Sequence, residues 1–266
     1  GMIIAPGNLS ITTGFLAILA ISIGSGASGA LNMSYERDTD KLMNRTKDRV
    51  LPRNKISSNG ALIFGLLLSI FSVALLFYAS NITAASLLLL TIIFYIFVYT
   101  IWLKKRTPQN IVIGGAAGAF PPMIGWSVVT GSISYEICLL FLLIFLWTPP
   151  HFWALALYKS NDYKNAGIPM MPLVVGKRKT INLIILYSLS LLPVTLIMSS
   201  YYSLFFGILS TALSGIFVYL AFDLRKSYLQ KRLFEKKAQM LFYFSIIYLF
   251  NVFSILLIDN LLWNIS

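Results

Sequence analysis

The chain has 266 residues, 58% of them hydrophobic and 11% charged, with a formal net charge of +12 and a mean hydropathy of +0.79. Soluble domains carry roughly 25% charged residues, so this chain has too few to cover a globule in water. Its apolar runs approach the ~20 residues that cross a bilayer core, and they are continuous rather than alternating, which favours helices over a β-barrel.

The expectation is an all-α, polytopic transmembrane helix bundle that forms one integral-membrane domain over residues 1–266. The first residues, Gly-Met-Ile-Ile-Ala-Pro6-Gly7, read as the tail of a preceding helix followed by a Pro-Gly turn. A ninth, N-terminal helix is therefore expected to be truncated, and with no basic leader the stretch does not read as a signal peptide. Eight spans follow, at about 10–32, 60–79, 82–103, 110–129, 134–156, 181–199, 202–222 and 239–261. The single cysteine, Cys138, lies inside one of them and permits no internal disulfide.

Four connecting segments, 33–59, 104–109, 157–180 and 223–238, hold all 21 Lys and Arg residues. Such asymmetry marks cytoplasmic loops. It also accounts for the positive charge without nucleic acid.

The first span runs into Asn32-Met-Ser-Tyr-Glu36-Arg-Asp38-Thr-Asp40. On a helix, residues four apart are neighbours, so Asn32, Glu36 and Asp40 form one stripe and Asp38 points elsewhere. Hard oxygen donors suit Mg²⁺, which usually takes one or two carboxylates plus substrate phosphates. Downstream, Arg45, Lys47, Arg49 and Arg53 offer donors for phosphate oxygens. Basic residues beside a span also set orientation, but acidic ones contribute little to it, so topology alone leaves the acidic stripe unexplained.

The second of these connections, Lys104-Lys-Arg-Thr-Pro-Gln109, leads into Asn110 and then the small residues 114–119. These small residues read first as a helix-packing surface. Asn110 either caps the helix or faces a site. Tyr95, Tyr99, Phe120, Trp126 and Trp153 supply aromatic faces able to stabilise a cation, although core packing is the commoner use.

The fifth span carries Trp147-Thr-Pro-Pro-His151-Phe-Trp, followed by Tyr158-Lys159-Ser-Asn-Asp162. His151 is the only histidine, set after two prolines that break the helix ladder. A titratable group at membrane depth is a functional candidate; a satisfied core donor and a ligand to haem iron both stay open. Asp162, with Lys159 and Lys164, forms a second mixed-charge cluster.

At these residues the chain resembles the protoheme IX farnesyltransferase (haem O synthase) branch of the UbiA superfamily of intramembrane prenyltransferases. The resemblance covers nearly the whole chain and is strongest over 24–176, above all in the blocks 107–126 and 147–157. That superfamily's Asn-x3-Asp-x3-Asp motif falls on Asn32, Glu36 and Asp40, with Glu36 in place of aspartate. Its second acidic motif is reduced, with Asp162 the clearest remnant. The family usually has nine helices, the first with a basic Lys-Pro-Arg start that is absent here.

The resemblance implies transfer of a farnesyl group from farnesyl diphosphate to a vinyl group of protoheme IX (haem B), with addition of water, giving haem O and diphosphate. It implies Mg²⁺ held by Asn32, Glu36, Asp40 and Asp162, which with His151 form the catalytic set. Arg45, Arg49, Lys104 and Lys159 would bind diphosphate, and Tyr35, Tyr99, Asn110, Trp147 and Tyr158 would line the substrate pocket. It further implies a bacterial inner-membrane enzyme that works with a haem A synthase or a terminal oxidase under assembly. Two rival readings stand beside it. A sister prenyltransferase acting on a quinone or chlorin precursor would share the diphosphate site. A transporter would place its acids near mid-bilayer, often on broken helices within repeats.

Overall fold

The computed structural model describes residues 1–44 and 46–263. Among these residues there are helices and turns but no strands. The long helices are α1 (Ile11–Asp40), α2 (Ser58–Ala79), α3 (Ile82–Ile93), a π-helical segment π1 (Phe94–Leu103) continuing α3, α4 (Asn110–Thr130) and α5 (Tyr135–Tyr158). Two short helices follow, α6 (Ser160–Asn165) and α7 (Met171–Val174), and then α8 (Gly176–Met198), α9 (Leu204–Leu229) and α10 (Phe234–Trp263). Counting α3 with π1 as one, eight are long and apolar enough to cross a bilayer. The molecule is a polytopic helical membrane protein, with spans close to those the hydropathy predicts.

The chain divides into two compact units. The first contains Gly1–Ile137 and Asn161–Pro169, and the second Cys138–Ser160 and Met170–Ser266.

In the first unit α1 packs along α2, and α4 packs against α3 and π1. Gly65 explains the close approach of α1 and α2: a Cβ there would lie 2.7 Å from Leu31 Cγ. Side chains end the helices. Ser10, Ser57 and Asn81 accept from the backbone N–H groups of Thr13, Gly60 and Ala84, satisfying donors that a helix start leaves unpaired. Asn81 also donates to the Ser127 carbonyl at 2.7 Å, tying the α2–α3 turn to the end of α4. Gly131, left-handed at φ 66°, closes α4. Ile4 is buried, and a Cβ on Gly125 would approach the Met2 backbone nitrogen at 3.2 Å, so the first residues lie against α4.

α1 is the element that sets up the chemistry. Its 30 residues, at about 1.5 Å rise, run about 45 Å, longer than the about 30 Å hydrocarbon core. The hydropathy places its end near residue 32, yet the helix continues to Asp40. The last two turns therefore carry polar residues on a rigid extension of a membrane helix.

In the second unit α9 packs against both α8 and α10. Ser214 Oγ lies 3.0 Å from Tyr248 Oη, and Phe217 meets Tyr248 edge to face. Asp259 of α10 accepts from the backbone N–H and the hydroxyl of Ser203, fixing the start of α9. The prolines 149 and 150 lie inside α5, between Trp147 and His151.

Candidate active site

The acidic stripe forms on α1 as the spacing predicts. Asn32, Glu36 and Asp40 are all buried, Glu36 to 3% exposure and Asp40 to 4%. Asp38 faces outward and pairs with Lys41 at 2.8 Å. Asn32 Nδ2 donates to Glu36 Oε2 at 3.0 Å and to Thr100 Oγ1 at 3.1 Å.

A buried carboxylate needs a counter-charge, because leaving water costs several kcal/mol per ion. Each of these two has its own. Lys104 Nζ stands 2.5 Å from Glu36 Oε2, and Arg49 Nη1 stands 3.0 Å from Asp40 Oδ2. Thr46 donates its hydroxyl to the Asp40 carbonyl at 2.9 Å, folding the loop after α1 back over the helix end. Asp162, at the start of α6, accepts from Asn44 Nδ2 at 3.2 Å, which ties the second acidic element to the same loop.

The π-helical segment supplies the facing wall. Thr100 Oγ1 donates to the Tyr95 carbonyl, five residues back, at 2.9 Å, and the Lys104 N–H donates to the Tyr99 carbonyl at 2.9 Å. The wider turn turns Thr100 and then Lys104 toward α1; π-bulges occur frequently at functional sites. Lys104 also lies over the Tyr99 ring, 5.6 Å from its centroid. Tyr99 is held close to α4 because Gly114 has no Cβ: one would fall 2.2 Å from Tyr99 Cδ2. The small residue at 114 is thus a packing device.

Asn110 does not cap α4 with its side chain. It is buried and donates to the carbonyls of Thr107 at 2.6 Å and Lys104 at 3.3 Å, stabilising the turn that presents Lys104.

One turn above Asn32 a cavity of about 410 Å³ opens within the first unit. Its wall includes Ser25, Ser28, Gly29, Thr91, Tyr95 and Gly118. A Cβ at Gly29 or Gly118 would meet nothing within 4 Å, so both glycines face open space. Tyr95 joins the cavity to the polar network through its carbonyl.

Two buried oxygens in this region have no hydrogen-bond partner, Glu36 Oε1 and Asn110 Oδ1. Hard oxygens of this kind fit a divalent cation. Among the described residues no three His, Cys, Asp or Glu side chains gather closely enough to hold an ion by themselves.

Of the other expected residues, Arg45 lies outside the described residues. Tyr35 is 53% exposed, off the stripe of its neighbours. Trp147, His151, Tyr158 and Lys159 belong to the second unit. There the His151 ring stacks between Trp147 and Phe242, at centroid distances of 4.4 and 4.7 Å. Tyr158 meets Phe242 at 6.2 Å, and Lys159 is exposed. Trp153 is wholly buried against Tyr187, as core packing.

Thr100 and Asn44 were not picked out by the sequence reading. A lone threonine four residues before Lys104 in an otherwise apolar run was the available signal for the first. Asn44 gave none, because its partner lies 118 positions away.

The chain matches the UbiA prenyltransferase family over residues 1–247. It is 50% identical over 265 residues to a protein of Parvibaculum lavamentivorans named protoheme IX farnesyltransferase, covering 98% of this chain and 83% of that one. A Pelagibacter ubique protein of the same name is 52% identical over 264 residues, covering 98% and 87%. Among solved structures, a digeranylgeranylglyceryl phosphate synthase superposes with a TM-score of 0.77 at 17% identity, over 95% of this chain and 87% of that one. A UbiA homologue from Archaeoglobus fulgidus bound to DMAPP and Mg²⁺ superposes with a TM-score of 0.67 at 18% identity, over 93% and 89%. The last two likenesses concern the fold, whereas the family match and the identities cover nearly the full sequence: the chain belongs to the UbiA prenyltransferase family.

Proposed function

We propose that this chain transfers a farnesyl group from farnesyl diphosphate to a vinyl group of protoheme IX, with addition of water, releasing haem O and diphosphate. The identity of half its residues with proteins named protoheme IX farnesyltransferase supports the choice of substrates over a quinone or chlorin precursor. Family membership replaces the transporter reading with an enzyme. The observation that carries the chemistry is the buried pair Glu36 and Asp40 on one stripe of α1, each matched to a cation, beside a cavity of about 410 Å³ in the same unit.

In this reading Asn32, Glu36, Asp40 and Asp162 hold Mg²⁺. The orphaned Glu36 Oε1 and the Mg²⁺ bound in the Archaeoglobus homologue support that. The ion's contribution is to neutralise diphosphate as the allylic bond breaks. Arg49, Lys104, Arg45 and Lys159 add fixed positive charge for the departing oxygens, stabilisation aimed at where charge develops. The isoprenoid lies in the cavity, where the side chains of Leu88, Ile92 and Ile124 limit water around the allylic cation, Tyr95 in its wall supplies an aromatic ring, and Tyr99 is a further substrate contact. His151 acts on the acceptor with Trp147 and Tyr158 of the second unit, and Tyr35 and Asn110 of the first unit are assigned to substrate contacts.

The whole chain acts as one catalytic domain, as a family match running through both units supports. The basic connections face the cytoplasm of a bacterial inner membrane, supported by the placement of every Lys and Arg in them. A haem A synthase or a terminal oxidase under assembly takes the product. Membranes containing the chain, incubated with protoheme and farnesyl diphosphate, should yield haem O by mass analysis only when Mg²⁺ is present. Production of a prenylated quinone precursor instead, or no Mg²⁺-dependent release of diphosphate, would overturn the assignment.

A further inference from the structure

His151 is held in an unusual way for a core histidine. Trp147 and Phe242 cover both faces of its ring, with interplanar angles of 18° and 24°. Its Nδ1 lies 2.6 Å from Ser245 Oγ. Ser245 Oγ also lies 2.5 Å from the Phe242 carbonyl oxygen, which can only accept. A serine has one hydrogen to give, and the carbonyl takes it. Ser245 Oγ must then accept from the histidine, so Nδ1 carries the imidazole proton and Nε2 keeps a bare lone pair.

The Nδ1 edge is turned to Ser245, and Phe152 meets the ring at 5.0 Å and 83°. His151 lines a groove of about 480 Å³ between α5 and α10. Nε2 has no hydrogen-bond partner among the described residues. The groove is walled by Trp147, Phe242, Phe250 and Phe253, with a hydroxyl from Ser254. Its volume falls within the about 300–1,000 Å³ of small-molecule and cofactor sites. Trp147 is fixed in turn, donating Nε1–H to the Ser245 carbonyl at 2.8 Å.

A histidine serving only the core would have both nitrogens satisfied. One nitrogen tied down as a donor and the other without a hydrogen-bond partner, on a ring that lines a groove, is the arrangement of a metal-ligating imidazole. We propose that this groove seats the porphyrin acceptor and that His151 Nε2 is an axial ligand of its iron. The inference rests on the haem reading of the function and adds the place and the ligand.

The test is spectroscopic. The full chain, purified in detergent, is titrated with ferric protoheme and then reduced, and resonance Raman and absorption spectra are recorded. The wild type should show an iron–imidazole stretching band. His151→Gly should lose the band and bind protoheme at least about 10-fold more weakly, within the range typical for disturbed metal sites. Added imidazole should restore the band in His151→Gly, which an unfolded protein could not do. Ser245→Ala, which removes the acceptor for Nδ1–H, should keep protoheme bound but shift the band.

Equal spectra and affinity in wild type and His151→Gly would overturn the proposal and leave the groove to lipid. If those equal spectra accompany normal haem O formation, only the ligation fails. If the wild type neither binds protoheme nor makes haem O, the functional reading fails with it.

Discussion

Lys104 Nζ lies 2.5 Å from Glu36 Oε2, although the two residues are 68 positions apart in the chain. The pair joins α1 to the turn after π1 and places a cation beside a carboxylate that is almost fully buried.

Removing only the cation should be costly. Lys104→Met leaves Glu36 charged and unpaired, and breaking a buried pair costs about 3–5 kcal/mol; the lysine keeps 18% exposure, which places this site toward the lower end. The double variant Glu36→Gln/Lys104→Met should regain much of the lost thermal stability in detergent. Additive losses in that cycle would show that the two side chains are not coupled.

Glu36→Gln and Asp40→Asn should each lower haem O formation by at least about 100-fold, the scale of losing one electrostatic contact to a reacting centre. Membrane insertion and the elution profile in detergent should be unchanged. Wild-type turnover in either variant would remove these carboxylates from the diphosphate site.

Gly118→Leu should fill the cavity without disturbing the helices, since a Cβ there meets nothing within 4 Å. The expected result is a KM for farnesyl diphosphate raised about 10-fold or more, about the free energy of misplacing one to two buried methylenes, at an unchanged melting temperature. An unaltered KM would place the isoprenoid elsewhere.

Gly65→Val and Gly26→Ala make an internal comparison. Valine at 65 drives into Leu31 and should cost about 1–3 kcal/mol by overpacking. Alanine at 26 meets no atom within 4 Å and gains helix propensity, so it should be neutral or stabilising by up to about 1 kcal/mol. Thermal melts of the two variants decide it.

Orientation is checked with single cysteines. In a Cys138→Ser background, Lys47→Cys and Lys177→Cys should react with a membrane-impermeant thiol reagent in inverted vesicles and stay protected in intact cells. Labelling of intact cells would reverse the topology.

Much of the fold was legible because a bilayer imposes one dominant rule, that long apolar runs must be helices. The acidic stripe was legible too, since spacing by four is a local property of a helix. The hydropathy ended α1 too early because Ser34 to Asp40 are polar, yet the helix persists there, with Ser34 bonded to Ser58 and Asp40 held by Arg49. The π-helical stretch left no signature in the sequence, since Phe94 to Leu103 are apolar in either kind of helix.

By itself the sequence determined that this is a membrane-crossing helical chain, with its cations gathered into alternate connections and three oxygen-bearing side chains on one stripe. Those properties depend on composition and on short-range spacing. Only the tertiary structure decided which cation answers each carboxylate, that Thr100 and Asn44 join the polar network, and that His151 turns Nδ1 to Ser245. Apart from Arg49 and Asp40, which are 9 positions apart across the turn after α1, those choices depend on residues tens of positions apart meeting within about 3 Å, and contacts of that kind are set by packing between helices rather than by any local pattern.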